Sequence, residues 1–255
     1  MTDLTASTAI LIPSRTKSAR LPGKLLLDDT GKPLFVHTYE AAVAAKAGMV
    51  AVAAADEEIV GACLAHRVAY IRTPVDLPSG TLRVAVAAEQ LPGSVALVVN
   101  LQADEPGIAP EGIAALVAAM WGHHQRDAWS VGTLVAPLSA MDAGLQSTVK
   151  AVVTPGPERP EGRALWFSRA PMAGAERHVG IYAAWRHVLE SVQRAHARGT
   201  LPTRLQQAED LEQLAWLEWG WTVGAVRGHA GCRGVDTRED YGHFIAWMRQ
   251  QQQVR

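Results

Sequence analysis

Apolar positions along the chain come in two alternating rhythms. Short, nearly continuous aliphatic runs are followed by longer alanine-rich stretches of helical spacing, which is the pattern of βα units laid on a sheet. Thr8–Ile12, Met49–Ala54, Val68–Ile71, Val95–Gln102 and Ser130–Val135 read as strands. Val95–Gln102 is the strongest of them, a β-branched and aliphatic run suited to burial on both faces. Between them, Leu34–Gly48, Glu57–Arg67, Thr81–Glu89 and Pro110–Trp121 read as helices, and the acidic first turn at Glu57 suits the positive end of a helix dipole. Val149–Val153 and Ala164–Phe167 read as strands around a loop rich in Pro, Gly and Arg, Thr154–Arg163. Strand His178–Ala183, helices Arg186–Arg198 and Gln206–Trp219, strand Thr222–Val226 and a closing helix Arg238–Gln252 complete the pattern. The expectation is one α/β domain over residues 1–255, Rossmann-like with a mainly parallel sheet. A smaller subdomain is expected around residues 147–185.

Composition narrows the partners. The 255 residues carry 24 basic and 25 acidic side chains, so no global field draws the chain to nucleic acid or to a membrane surface. Hydrophobic content of 48% is enough for a substantial core. The two cysteines, Cys63 and Cys232, have no neighbours at metal-ligand spacing, and a reduced, cytoplasmic setting is expected. The first residues, Met1 to Thr8, lack the basic and apolar regions of a secretion signal, and no run of about 20 apolar residues is present to span a bilayer.

Candidate chemistry begins where the first strand ends. Arg15, Lys17, Arg20 and Lys24 fall in a loop that Pro13, Pro22 and Gly23 keep from continuing as strand or helix. Cations at the carboxyl end of a first strand suit a polyphosphate, although a solvated basic loop has the same composition. Asp104 and Glu105 follow the most buried strand. An acidic pair there calls for a compensating cation, such as a divalent metal, or for hydrogen bonds. Asp236 lies in Gly234-Val-Asp-Thr237 after a late strand, where either Asp236 or Thr237 also fits a helix cap. Ser79-Gly80-Thr81 opens a helix with small residues and exposed N–H groups, suited to a phosphate or simply to a turn and cap. His178 and Tyr182 place an imidazole and a phenol on an otherwise apolar segment, and Gln206, Glu209, Glu212 and Gln213 are spaced to share one helix face.

In this order the segments resemble the 3-deoxy-manno-octulosonate cytidylyltransferases (CMP-Kdo synthetases), within the wider sugar-acid cytidylyltransferases. The resemblance covers about residues 8–248. It rests on Ile12-Pro-x-Arg15, Ser18-x-Arg-Leu-Pro-Gly-Lys24, Gly31-Lys-Pro, Ser79-Gly-Thr-x-Arg83, Asn100-x-Gln-x-Asp-Glu-Pro106, Val149-Lys150, Phe167-Ser-Arg169, His178-x-Gly-Ile-Tyr182, Leu211-Glu-Gln-Leu214 and Gly234-Val-Asp-Thr237. It implies a Rossmann-like three-layer nucleotidyltransferase fold with a small dimerisation excursion, and Mg²⁺-dependent transfer of CMP from CTP to a 2-keto sugar acid, Kdo by default, with release of pyrophosphate. Carried over by position, Arg15, Arg20 and Lys24 would grip the CTP phosphates. Ser79, Gly80, Thr81 and Gln102, with the backbone at Ile12 and Pro13, would lie beside the nucleotide. Asp104 and Asp236 would ligate Mg²⁺. Gln102, Arg169, His178, Tyr182, Glu212 and Gln213 would line the acceptor pocket. The implied partners are CTP, a small acidic acceptor and a second copy of the chain.

The chain departs from the family pattern at several positions. Ala103 stands where Gly is usual, Leu77 where His is common before the Ser-Gly-Thr turn, and Ala54-Ala55-Asp56 where Ala-Thr-Asp is usual. Ala184-Trp185 replaces a Tyr-Arg pair, Gln206 a glutamate, and Ala215 an arginine. Kept phosphate and metal motifs beside altered acceptor-side positions suggest the same CTP chemistry on another small acid, such as a different keto sugar acid or a phosphonate. A catalytically silent nucleotide-binding homologue is the alternative from another class.

Overall fold

In a computed structural model, residues 4–124, 129–156, 158–228 and 231–253 are described. Residues 1–3 of the N-terminal stretch and position 157 of the Thr154–Arg163 loop lie outside them. The chain forms β1 (Thr8–Ser14), α1 (Leu34–Ala44), β2 (Met49–Ala54), α2 (Glu57–Ala65), β3 (Tyr70–Arg72), α3 (Gly80–Ala88), β4 (Leu97–Leu101), α4 (Pro110–His123) and β5 (Val131–Ala136). It continues with α5 (Ala140–Ala143), β6 (Lys150–Thr154), β7 (Glu161–Ser168), β8 (Glu176–Trp185), α6 (Arg186–Ala197), α7 (Arg204–Glu209), α8 (Leu214–Glu218), β9 (Val223–Arg227) and α9 (Arg238–Gln253). Lys24–Leu26 make a short 3-10 turn.

All the strands join one sheet in the order β3-β2-β1-β4-β8-β5-β9-β7-β6. The expectation of a mainly parallel sheet is corrected here: the sheet is mixed. β1, β2, β3 and β4 run parallel, as does the β5–β9 pair. β8 enters between β4 and β5 antiparallel to both, and β6 and β7 pair antiparallel with each other and with their other neighbours. The β6–β7 hairpin ends this sheet rather than starting another one. Because β8 is reversed, its first half lies beside the carboxyl end of β4, where Leu101 pairs with Ile181, while Trp185 lies at the opposite end, paired with Leu97.

The core follows the strongest sequence runs. Leu97–Leu101 is buried throughout, and Ala9 to Ile12 have no exposed surface. Helix α1 packs on β1 and β2, and the chain re-enters β2 through Gly48, whose added Cβ would lie 2.4 Å from Thr8 O. The single helix expected over 206–219 is two helices. Asp210 closes α7 in the left-handed conformation (φ 54°), which a short polar side chain tolerates better than most. Glu209 therefore stays on α7, while Glu212 lies between the helices and Gln213 immediately precedes α8, off the shared face expected of them. Among the described residues, no helix is long and apolar enough to cross a membrane.

Candidate active site

The carboxyl ends of β1 and β4, the first half of β8 and the turn before α9 meet at one edge of the sheet, where they wall a two-lobed cleft. The smaller lobe, about 280 Å³, is lined by the cationic loop, Pro13, Ser79, Gly80 and Ala103. The larger, about 700 Å³, is lined by Arg169, Arg177, His178, Tyr182, Gln206, Gln213 and Arg233, among others. Arg15, Arg20, Gln102, Asp104, Glu212 and Asp236 border both. Ile12 and Thr81 line neither: Ile12 is wholly buried, and Thr81 lies behind the wall, where its hydroxyl accepts from Asn100 Nδ2 at 3.3 Å.

At the junction of the lobes, Lys24 Nζ uses all three of its donors. It reaches Asp104 Oδ2 at 2.6 Å, Val235 O at 2.8 Å and Asp236 Oδ1 at 2.9 Å. Burial alone pulls the ammonium's pKa down, but the two carboxylates outweigh it and hold it above the ordinary value of 10.5. The other oxygen of Asp236 meets Arg20 at 3.1 Å. Asp104 and Asp236, 132 positions apart in the chain, thus aim one oxygen each at a single cationic point, a donor set that fits a hard divalent ion completed by phosphate oxygens and water.

Local structure holds these groups in place. Gly23 takes φ 69° at the start of the 3-10 turn, a conformation only glycine adopts freely, and this bends Lys24 inward. Asp56 Oδ2 accepts from Thr16 N (2.8 Å) and Thr16 Oγ1 (3.0 Å), pinning the cationic loop, while its Oδ1 caps α2. At α9, Thr237 and Asp240 cap the helix reciprocally: Asp240 Oδ2 accepts from Thr237 N at 2.9 Å, and Thr237 Oγ1 accepts from Asp240 N at 3.1 Å. Thr237 is thus the capping residue, and Asp236 is left to face the cleft. Ser79 does cap α3, accepting from Leu82 N at 3.2 Å. Glu212 Oε2 accepts from Thr81 N at 3.1 Å, which draws the segment between α7 and α8 over the cleft.

In the larger lobe, Arg169 donates to Gln146 O and Asp210 O at 3.1 and 3.4 Å. His178 is buried, and desolvation, helped by Arg177, lowers its pKa to about 3, so the ring is neutral. Thr133 Oγ1 gives its one proton to Ile181 O (2.7 Å), so His178 Nε2, 3.0 Å from the same hydroxyl, is the donor and Nδ1 is the ring's acceptor. Tyr182 stacks on His178 and meets Trp216 edge-on. Its hydroxyl pKa is raised well above 10.0, chiefly by burial.

Glu105, the other member of the acidic pair after β4, is 8% exposed, and burial, with Asp104 beside it, raises its pKa to about 7. Sequence reasoning missed Arg177, Arg233 and Asp240, which also line the large lobe. Of these, the spacing Thr237-x-x-Asp240 was a readable capping signal.

Of the departures from the family pattern, Ala103 and Gln206 line the cleft. Trp185 is buried and donates from Nε1 to Trp129 O at 2.7 Å, and Ala184 and Ala215 are core residues. Leu77 lines neither lobe, although Pro78 beside it lines both.

The cytidylyltransferase family model matches residues 9–223. The 3-deoxy-manno-octulosonate cytidylyltransferase of Anaeromyxobacter dehalogenans (strain 2CP-C) is 40% identical over 243 residues, covering 91% of this chain and 93% of its own. That of Rhodopseudomonas palustris (strain BisA53) is 38% identical over 240 residues, covering 92% and 94%. Among solved structures, a CMP:2-keto-3-deoxy-manno-octonic acid synthetase complexed with CTP superposes with a TM-score of 0.83 at 35% identity, over 96% of this chain and 100% of the other.

Proposed function

The chain belongs to the 3-deoxy-manno-octulosonate cytidylyltransferases, and from that membership we propose that it transfers CMP from CTP to Kdo and releases pyrophosphate. The observation that carries the reading is the convergence of Asp104 and Asp236 on one cationic point between two lobes. CTP takes the smaller lobe. Arg15, Arg20 and Lys24 bind its phosphates, and Pro13, Ser79, Gly80 and Gln102 lie along the nucleotide. The larger lobe takes the acceptor. Arg169 offers its guanidinium fork to the acid's carboxylate, and Gln102, His178 Nδ1, Tyr182, Glu212 and Gln213 offer hydrogen-bonding groups for its hydroxyls.

Attack by the acceptor hydroxyl on the α-phosphorus displaces pyrophosphate in line, and negative charge builds on the leaving group. The protein contributes by holding both reactants at the junction and by placing Arg15, Arg20 and Lys24 where that charge develops. A Mg²⁺ ion held by Asp104 and Asp236 would supply further stabilisation of charge on the phosphoryl oxygens. No side chain needs to form a covalent intermediate. With this activity we propose a cytoplasmic homodimer with three-layer architecture and contacts made by the segment around residues 147–185, where Leu165 stands half-exposed on β7.

Most of the acceptor-side departures lie away from the proposed acceptor, since Ala184, Trp185 and Ala215 are buried in the core and Leu77 lies off the lining, while Gln206 lines the larger lobe with its side-chain oxygen held by Thr203 N. The test is pyrophosphate release from CTP with Mg²⁺ across Kdo, other keto sugar acids and phosphonates. Release with Kdo above all is expected. Preference for a phosphonate would move the assignment to another acceptor, and CTP binding without release on any acceptor would leave a silent nucleotide-binding protein.

A further inference from the structure

One carboxyl sits where the metal-side and acceptor-side segments meet, and neither role assigned above uses it. Glu105 is more than nine-tenths buried at the wall of the larger lobe. Its Oε1 accepts from Gly180 N at 2.9 Å, while Oε2, also buried, has no hydrogen-bond partner among the described residues. Gly180 O in turn accepts from Gln102 N at 2.9 Å, so both backbone groups of this residue of β8 are bound by the segment that carries Asp104. A Cβ on Gly180 would lie 2.8 Å from Glu105 Oε1, and one on Gly234 would lie 3.1 Å from the same oxygen. Val235 N completes the junction by donating to Asp104 O at 2.8 Å. Two glycines from distant motifs are therefore needed around one carboxyl oxygen. A buried carboxyl with one orphaned oxygen is unfavourable for stability, and an apolar side chain of similar size would avoid that cost but could not hold the Gly180 N–H.

We propose that Glu105 is a positioning residue: it fixes the separation between the Asp104–Asp236 pair and the stretch of β8 that presents His178 and Tyr182, and so places the acceptor in line with the α-phosphate. This rests on the transfer reaction proposed above. Its consequence is one-sided. Loosening the junction should harm the acceptor far more than the nucleotide, whose lobe Glu105 does not line.

The test is steady-state kinetics of Glu105→Ala and Glu105→Gln, with CTP binding by calorimetry as the check on folding. Glu105→Ala should raise the acceptor KM by about tenfold, as expected for loss of one buried hydrogen bond, and leave CTP affinity within about twofold. Glu105→Gln should restore the acceptor KM to within about threefold of wild type, since its amide oxygen can still accept from Gly180 N. Equal losses for both substrates, failure of glutamine to rescue, or an unchanged acceptor KM in the alanine variant would each overturn the inference. If Glu105→Ala does not bind CTP, Gly180→Ala decides. Its Cβ pushes on the same oxygen, and it must raise the acceptor KM while keeping CTP affinity. No pyrophosphate release by the wild type on any acceptor refutes the reaction itself, whereas an active wild type with uniformly impaired variants refutes Glu105 alone.

Discussion

Lys24→Met isolates what one ammonium does between two carboxylates, because methionine keeps most of the side chain's length and removes its charge. The wild-type side chain is 10% exposed, and it spans Asp104, Asp236 and Val235 O. Its folded pKa lies above 10.5, so this contribution is complete at any pH below the unfolded value and is lost only as pH rises through the folded one. Titration therefore does not complicate a measurement near neutrality. The variant leaves two like charges facing each other and a carbonyl without its donor. Removing one partner of a buried ion pair costs about 3–5 kcal/mol. Here the carboxylates keep 29% and 28% exposure and can draw in water, so about 2–3 kcal/mol is the better figure. At about 2–4 °C per kcal/mol for a chain of this size, Tm in a chelator should fall by about 4–12 °C. Millimolar Mg²⁺ should return part of that loss by restoring positive charge between Asp104 and Asp236, and should raise the variant's Tm more than the wild type's. Thermal unfolding in EDTA and in MgCl₂ reads both effects. A variant that melts within about 1 °C of wild type in EDTA, or equal Mg²⁺ shifts in the two proteins, would refute the reasoning.

Asp104→Asn removes one of the paired carboxylates and should cut pyrophosphate release by about 10²-fold or more; undiminished turnover sinks the proposed site. His178→Gln tests the neutral ring. Below the ordinary value of 6.5 the unfolded chain takes up a proton that the folded chain excludes down to about 3, so wild-type stability falls as pH drops through that window, by up to about 1.4 kcal/mol per pH unit. Urea midpoints of the variant should show a shallower acid limb, and an unchanged limb contradicts the assignment. Trp185→Phe should cost about 1–3 kcal/mol in urea unfolding, through the bond lost to Trp129 O, with no change in acceptor KM. A shifted KM would return that position to the pocket.

Most elements were legible because the aliphatic runs are short, continuous and bounded by turn residues. Met49–Ala54 emerges with the bounds expected of it, and the other strand ends move by only a few residues. Strand direction was not legible. Alternation and burial are the same for a parallel and an antiparallel strand in the middle of a sheet, and the insertion of β8 between β4 and β5 is a property of the connections around it. The break at Asp210 was hidden for a similar reason. The polar spacing over 206–219 suits a helix, and only the φ of 54° and the bond from Thr81 N to Glu212 show what the interruption achieves.

The site divides along the same line. Charged side chains just past strand ends could be read directly, and of these Arg20, Lys24, Asp104 and Asp236 meet around one point, with Arg15 on the wall of both lobes. Glu105 was legible as half of an acidic pair but not as a partner of β8, which depends on a backbone N–H 75 residues away. The altered acceptor-side positions were readable as differences but not as distances, and distance decides their meaning. Ala103 is buried at the smaller lobe, with its carbonyl taken by Thr38 Oγ1 at 2.9 Å. Gln206 lines the larger lobe, but its side-chain oxygen accepts from Thr203 N at 3.2 Å as half of the capping box that starts α7, a bond a glutamate would also make. The one altered side chain in the larger lobe is thus committed to its own helix. Under the function proposed above, the choice of acceptor falls to Arg169, His178, Tyr182 and Glu212, which match the family pattern.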